Sequence, residues 1–252
     1  ISLIAFLARY YSKKPIHTVS KVTSLLIPLT VLTIPVLLVL NQPDLGTALL
    51  IAMGGFIVIW LAGVKIKYFM FSIVTLICSL PLVIAFLKPY QKLRILTFLN
   101  PERDPLGAGY QIIQSKIAIG SGGIYGKGFL NGSQSYLDYL PEKHTDFIFT
   151  LFSEEFGFIG SILLLLIYIL IIYKIISIGN ASKDNFAKLF CFGFAASFFV
   201  YVTVNMMMVL GLLPIVGAPL PIMSYGGSSM LSIMIGLGVV MSCKVHQQEE
   251  YI

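Results

Sequence analysis

The chain has 252 residues, of which 57% are hydrophobic and 11% are charged, whereas soluble domains are roughly 45 to 50% apolar and about 25% charged. This composition excludes a soluble globular fold and a disordered chain. The formal net charge is +6, but the basic residues lie between apolar runs, where such residues set membrane orientation. We therefore predict an all-α polytopic membrane protein with no nucleic-acid partner.

Six apolar stretches are long enough to cross a bilayer, which requires about 20 residues. They cover residues 22–40, 45–64, 68–87, 147–173, 186–212 and 221–243. Each is predicted to be a helix, because lipid offers no partner for an unsatisfied backbone group and a helix satisfies its own. Prolines fall within several of them, at Pro28, Pro35, Pro81 and Pro221.

The basic residues predict the orientation of these spans. Alternate connections carry ten Lys and Arg residues, and the two short connections between them carry none. The positive-inside rule places the ten in the cytoplasm, together with the C-terminus. Residues 88–146 then form one long extracytoplasmic loop within a single membrane domain, 1–252. The loop translocates despite its seven Lys and Arg residues, because long loops do so largely regardless of charge.

The long loop contains a helical pattern and several charged residues. Tyr110, Ile113 and Ile117 recur at helical spacing, which predicts a short amphipathic helix that lies either at the membrane interface or as a cover on the bundle. The basic residues of the loop, among them Arg103, Lys116 and Lys127, form either a solvated face or partners for the phosphates of a membrane-anchored substrate.

A glycine-rich run at residues 120–128 resembles a phosphate-binding loop but fits neither common template. Tyr125 takes the last glycine position of the dinucleotide pattern, and Ser121 and Gly128 stand where a P-loop requires Gly and Ser or Thr. Nucleotide binding is therefore excluded. The run is either a tight turn or a segment whose backbone amides meet an anion.

Acidic residues cluster where the loop enters the next span. Thr145 is predicted to be the N-cap of this helix, with Asp146 in its first turn, where a carboxylate either complements the helix dipole or acts as a general base. His144, Glu154 and Glu155 lie nearby and are candidates for substrate contact or for ion pairs between helices.

The stretch 212–229 combines prolines with a Gly-Gly-Ser-Ser tract at the outer end of the last span. Its small residues either permit close helix packing or form a broken helix end that binds an anionic headgroup, with Ser224 and Tyr225 as candidates. No D-x-D, H-E-x-x-H or Cys/His metal pattern is present in the sequence.

Long motifs identify a relationship. They read NQPDLGTALL, FLNPERDPLGAGYQIIQSKIAIGSGGIYGKGF, SQSYLDYLPEKHTDFIF, SEEFG and GLLPIVGAPLPIMSYGGSS. The chain resembles, nearly end to end, the SEDS family of bacterial cell-wall polymerases, and especially its rod-shape-determining branch. The family has more membrane helices than the six predicted here, and residue 1 is Ile, so we expect a further segment upstream.

The resemblance implies a peptidoglycan glycosyltransferase in the bacterial inner membrane that polymerises lipid II at the outer membrane face during cell elongation. It implies a class B penicillin-binding protein as the crosslinking partner and places the family's essential acid at Asp146. The outer Lys and Arg residues, or a divalent metal ion, could neutralise the diphosphate leaving group. The alternatives are a lipid II flippase and an inactive truncated scaffold.

Overall fold

The structure, a computed structural model, describes residues 1–42, 44–86, 89–104, 107–132 and 144–249. Within these ranges it is helical and contains no β-strand. The helices in chain order are α1 (Ser2–Ser12), α2 (Ile16–Val19), α3 (Val22–Asn41), α4 (Leu45–Leu61), α5 (Ile66–Phe86), α6 (Pro89–Leu99), a 3-10 turn (Pro101–Arg103), α7 (Ala108–Gly122), α8 (Ile148–Ala181), α9 (Asn185–Val209) and α10 (Gly227–Glu249).

Each of the six predicted stretches is largely helical, and four of them are confirmed as long apolar spans. In the described part of the chain, α3, α8, α9 and α10 are long and apolar enough to cross a membrane, and α4 and part of α5 are shorter apolar helices. The most apolar windows of α3, α8 and α10 are only 17%, 11% and 11% buried within the protein, against 56% for α9. Such broad exposure of apolar helix surface is stable only when lipid covers it.

The predicted start of the last span is wrong. The helix begins at Gly227 rather than at Pro221, and residues 210–226 form an irregular segment, which we call the 210–226 loop. Its backbone cannot continue a helix, because Gly211, Gly217 and Ile222 all have positive φ.

Close contacts in the chain define two compact units. The first comprises residues 1–74, 169–201 and 227–252. Its helices approach through small residues: a Cβ atom at Gly55 would overlap Leu32, and a Cβ atom at Gly54 would lie 3.0 Å from the Ser197 Oγ. Such packing is typical of membrane helices, where close approach replaces the hydrophobic effect as the source of contact energy. Asp44 caps α4 by accepting a hydrogen bond from the Thr47 amide.

The second unit comprises residues 75–168 and 202–226 and includes α7. This helix buries a stripe of mostly small residues, Gly109, Ile112, Ser115, Ala118 and Gly122, whereas Ile117 is exposed. The Ser115 hydroxyl donates to the Val209 carbonyl at 2.6 Å, so the Thr150 hydroxyl, 2.8 Å away, must be the donor in their shared bond. The predicted helix is confirmed, and these bonds anchor it to α8 and α9.

Candidate active site

The turn 144–147 connects the long loop to α8. The prediction that Thr145 is the N-cap with Asp146 in the first turn is wrong, because the helix begins at Ile148. The Phe147 carbonyl accepts the Thr150 and Leu151 amides at 3.0 and 3.4 Å, which makes Phe147 the first acceptor of the helix. Asp146 therefore lies in a turn just before the helix.

Three consecutive carbonyls of this turn each accept a hydrogen bond from a different donor. The His144 carbonyl accepts the Tyr225 amide at 2.9 Å. The Thr145 carbonyl accepts the Ser224 hydroxyl at 2.6 Å, and the Asp146 carbonyl accepts the Asn205 side-chain amide at 2.8 Å. The donors come from the 210–226 loop and from α9. This set of bonds fixes the backbone that carries the Asp146 carboxylate.

The 210–226 loop is itself held by side chains. Ser224 accepts the Leu220 amide through its Oγ at 2.7 Å, while its own amide donates to the Leu220 carbonyl at 3.0 Å. The Tyr168 hydroxyl donates to the Pro221 carbonyl at 2.7 Å, and Asn205 donates to the Ala218 carbonyl at 2.6 Å. An irregular backbone lacks the internal hydrogen bonds of a helix, so its buried polar groups require such partners.

The Asp146 carboxylate lies against this loop. A Cβ atom added at Gly217 would be 3.5 Å from the Asp146 Oδ2. Asp146 is half-buried, whereas Phe147 is buried and His144 is exposed. The carboxylate is therefore both fixed in place and accessible from outside the protein, which are the two requirements for a general base.

Lys116 of α7 reaches the same loop. A Cβ atom at Gly211 would overlap the Lys116 Cε and lie 2.7 Å from its Nζ, so the end of this side chain lies directly against Gly211. Lys116 is exposed, and within the described ranges it forms no ion pair. Asp146 and Lys116 thus lie against two glycines of one loop.

The glycine-rich run is paired with a break in α8. Gly157 has φ 66° and ψ −161°, which interrupts the helix. The Phe158 and Ile159 amides donate to the Gly123 and Ile124 carbonyls at 2.9 and 3.1 Å, instead of to their own helix. In return, the freed carbonyls of Glu154 and Glu155 accept the amides of residues 127 and 128 at 3.1 and 3.0 Å.

These bonds favour the tight turn over the anion site for the run. Two of its backbone amides donate to carbonyls of α8, and these two are therefore not available to an anion. The close approach also explains the glycines, because a Cβ atom at Gly122 would overlap the Ser153 carbonyl and one at Gly126 would overlap the Glu155 carbonyl. The run is a docking segment for a broken membrane helix.

Lys127 forms an ion pair with Glu154. The Lys127 Nζ lies 2.6 Å from the Glu154 Oε1, and the side chains are 28% and 0% exposed. Each charge stabilises the other at a site where a single buried charge would be strongly unfavourable. Glu155 is also buried. Of the two interpretations of Glu154, the structure therefore shows the ion pair.

The other predicted residues are placed as follows. Tyr225 is 83% exposed, whereas Ser224 is buried and engaged in the bonds given above. Arg103 ends the 3-10 turn, and the position of its side chain lies outside the described part of the structure, as does residue 143.

Among the described residues, no three His, Cys, Asp or Glu side chains gather closely enough to hold a metal ion. The described residues therefore supply no metal site with three protein ligands of these types.

A role for Asn205 was not predicted from the sequence, although one feature of the sequence indicates it. It is an amide within an apolar membrane helix, and it is completely buried. A polar side chain at such depth is expected to bind another polar group. The sequence gives no indication that its partners are the carbonyls of residues 146 and 218.

Comparisons with known proteins show the family of this chain. A family model for FtsW, RodA and SpoVE, described as "Cell cycle protein", matches residues 1–249. The peptidoglycan glycosyltransferase MrdB of Escherichia coli (strain K12) is 47% identical over 223 residues, which are 88% of this chain and 60% of that protein. The chain therefore spans about three fifths of the length of this relative.

Two solved structures are also similar. One, described as the structural coordination of polymerization and crosslinking by a peptidoglycan synthase complex, contains a chain that is 38% identical, with a TM-score of 0.77 over 97% of this chain and 67% of that chain. The other is the rod shape determining protein RodA of Thermus thermophilus, at 27% identity and a TM-score of 0.62 over 94% of this chain and 60% of that chain.

Proposed function

The chain belongs to the FtsW, RodA and SpoVE family of multi-pass proteins of the bacterial inner membrane, and from this premise we propose that it is a peptidoglycan glycosyltransferase. It polymerises lipid II into glycan strands during cell elongation. The observation that carries the proposal is the half-buried Asp146 carboxylate, on a turn whose backbone carbonyls accept three hydrogen bonds at the entrance to a membrane helix. The relatives that are named glycosyltransferases support the reaction class.

In the proposed reaction Asp146 is the general base. It accepts the proton of the attacking sugar hydroxyl while the oxygen of that sugar forms a bond to the anomeric carbon of the donor. The bond from the anomeric carbon to the lipid diphosphate breaks, and the diphosphate leaves with its negative charge. A fixed carboxylate has a large advantage in this step, because correct orientation replaces the entropy loss of a random encounter.

Lys116 is the proposed cation for the diphosphate. It is exposed, it lies against the same loop as the carboxylate, and a positive charge beside the departing phosphate stabilises the transition state. Lys127 is engaged by a buried carboxylate, which makes it a less suitable partner for substrate. Contacts of Arg103, His144 and Tyr225 with the substrate stay predictions.

The proposed orientation and partner follow from the same argument. Turn 144–147 and the 210–226 loop face the periplasm, and the C-terminus lies in the cytoplasm, as the distribution of Lys and Arg predicts. A class B penicillin-binding protein crosslinks the strands, and the similarity to a chain of a peptidoglycan synthase complex supports such a partner.

The test is glycan strand synthesis from labelled lipid II by the purified full-length protein in liposomes. Asp146→Asn keeps the shape of the side chain but cannot accept the proton, so we expect polymer formation to be lost while lipid II binding persists. Asp184→Asn is the matched control, because Asp184 is exposed and caps α9 through the Phe186 amide, a role that asparagine also fills.

Each alternative has its own outcome in this assay. A flippase would move lipid II across the bilayer without forming polymer, and a scaffold would do neither. Full polymer formation by Asp146→Asn would remove this carboxylate from the reaction.

A further inference from the structure

Asn205 joins two backbone segments that meet at the Asp146 carboxylate. It lies on α9, is completely buried, and uses both hydrogens of its side-chain amide. One goes to the carbonyl of Asp146 itself. The other goes to the carbonyl of Ala218, the neighbour of Gly217 against which the carboxylate lies. The orientation of the amide follows from these partners, since two carbonyl oxygens can be satisfied only by donors.

We propose that Asn205 is a positioning residue for the Asp146 carboxylate. This proposal rests on the proposed function of Asp146. A single side chain fixes the backbone that bears the carboxylate and also the backbone surface beside it. The distance between them is therefore set by the geometry of one planar amide. Asn205 touches no substrate in this scheme and acts only through Asp146.

The other hydrogen bonds of the turn act on carbonyls that precede the carbonyl of Asp146, which is the one that the Asn205 side-chain amide holds. Tyr225 and Ser224 hold the carbonyls of residues 144 and 145, which precede the catalytic residue. Asn205 bonds the carbonyl of Asp146 itself. Losing this donor removes the bond nearest the carboxylate, so the peptide unit that follows Asp146 gains freedom to rotate and the carboxylate moves with it.

The test replaces the donors with groups of similar size in the full-length protein. Asn205→Leu removes both donors and suits a membrane helix, so this variant is expected to fold. Asn205→Asp keeps the shape and places oxygen against the two carbonyls. We expect kcat for glycan polymerisation to fall by about 10- to 100-fold in both variants, with KM for lipid II unchanged, because a small displacement of a catalytic group has this effect.

Ser115→Ala is the matched control. It removes two buried hydrogen bonds, one to the Val209 carbonyl of α9 and one from the Thr150 hydroxyl of α8, and neither involves the turn 144–147. We expect it to lower the thermal stability of the protein without lowering kcat. Hydrogen exchange of the turn 144–147 is expected to become faster in the Asn205 variants and to stay unchanged in Ser115→Ala.

The outcomes separate the two proposals. A full kcat in Asn205→Leu, beside an inactive Asp146→Asn, would overturn the positioning role and leave the base assignment intact. An active Asp146→Asn would overturn the base assignment, and the hydrogen exchange data would still report whether Asn205 orders the turn. A loss of kcat in Ser115→Ala as large as in the Asn205 variants would show a general structural effect and overturn the proposal.

Discussion

Replacing Gly157 with alanine should uncouple the glycine-rich run from α8. The backbone at Gly157 has a positive φ with an extended ψ, a region that residues with a Cβ atom essentially do not occupy. An alanine Cβ would also overlap the amide nitrogen of Gly126. The variant therefore has two possible structures. Either the helix break persists with a strained backbone, or α8 becomes continuous and loses its hydrogen bonds to the glycine-rich run.

The magnitude follows from the hydrogen bonds counted above. A straight α8 would regain two helical bonds, from Phe158 and Ile159 to the carbonyls four residues earlier, but it would lose all four bonds to the run. The net loss of two bonds corresponds to about 1 to 3 kcal/mol. Separating Lys127 from the fully buried Glu154 adds about 3 to 5 kcal/mol. If the break persists instead, the strained backbone costs about 1 to 3 kcal/mol before the overlap is counted.

Either route predicts that Gly157→Ala lowers the free energy of unfolding by at least about 1 to 3 kcal/mol, measured for the purified protein in detergent. The matched control is Gly120→Ala in α7, where a Cβ atom would meet nothing within 4 Å. A helical glycine in open space gains about 0.5 to 1 kcal/mol on replacement by alanine. Equal stability of the two variants would refute the bond exchange at the helix break.

Three further predictions concern packing and charge. Lys127→Met is expected to lower the free energy of unfolding by about 3 to 5 kcal/mol, as measured by chemical unfolding. Adding Glu154→Gln should recover most of that loss, because the second substitution removes the buried charge. Ser224→Ala removes two hydrogen bonds and is expected to cost about 1 to 3 kcal/mol and to speed hydrogen exchange of the turn 144–147. Gly55→Ala should overpack the contact with Leu32 and lower the free energy of unfolding by about 1 to 3 kcal/mol. Adding Leu32→Ala should relieve this overlap, and a double-mutant cycle measures the coupling between the two residues.

Hydropathy predicted the membrane helices well, because a span needs only length and apolar composition, and both are visible in the sequence. The ends were less predictable. The last helix starts after Pro221 because residues with positive φ precede it, the last of them Ile222. Helix α8 starts after Asp146 because the carbonyls of residues 144–146 accept hydrogen bonds from other segments. Neither cause is a local property of the residues at the boundary.

The buried face of α7 was unpredictable for a different reason. In water the large apolar side chains of a helix point inward, but a membrane protein can expose them to lipid and bury small ones. Gly109 and Ser115 are accordingly inside, while Ile117 is exposed. The place of Asp146 near the helix entrance left both a dipole role and a general-base role open, and only the family resemblance singled it out. The role of Asn205 depends on a contact across 59 residues of sequence, which no local pattern encodes.

The break at Gly157 separates α8 into a short N-terminal piece and a long remainder. A continuous helix transmits any change of tilt to both of its ends, and membrane helices change tilt with bilayer thickness. Here the piece that follows Asp146 is bonded through its backbone to the glycine-rich run. A change of tilt in the rest of the helix therefore meets the break, and the bonds that hold it, before it reaches the carboxylate.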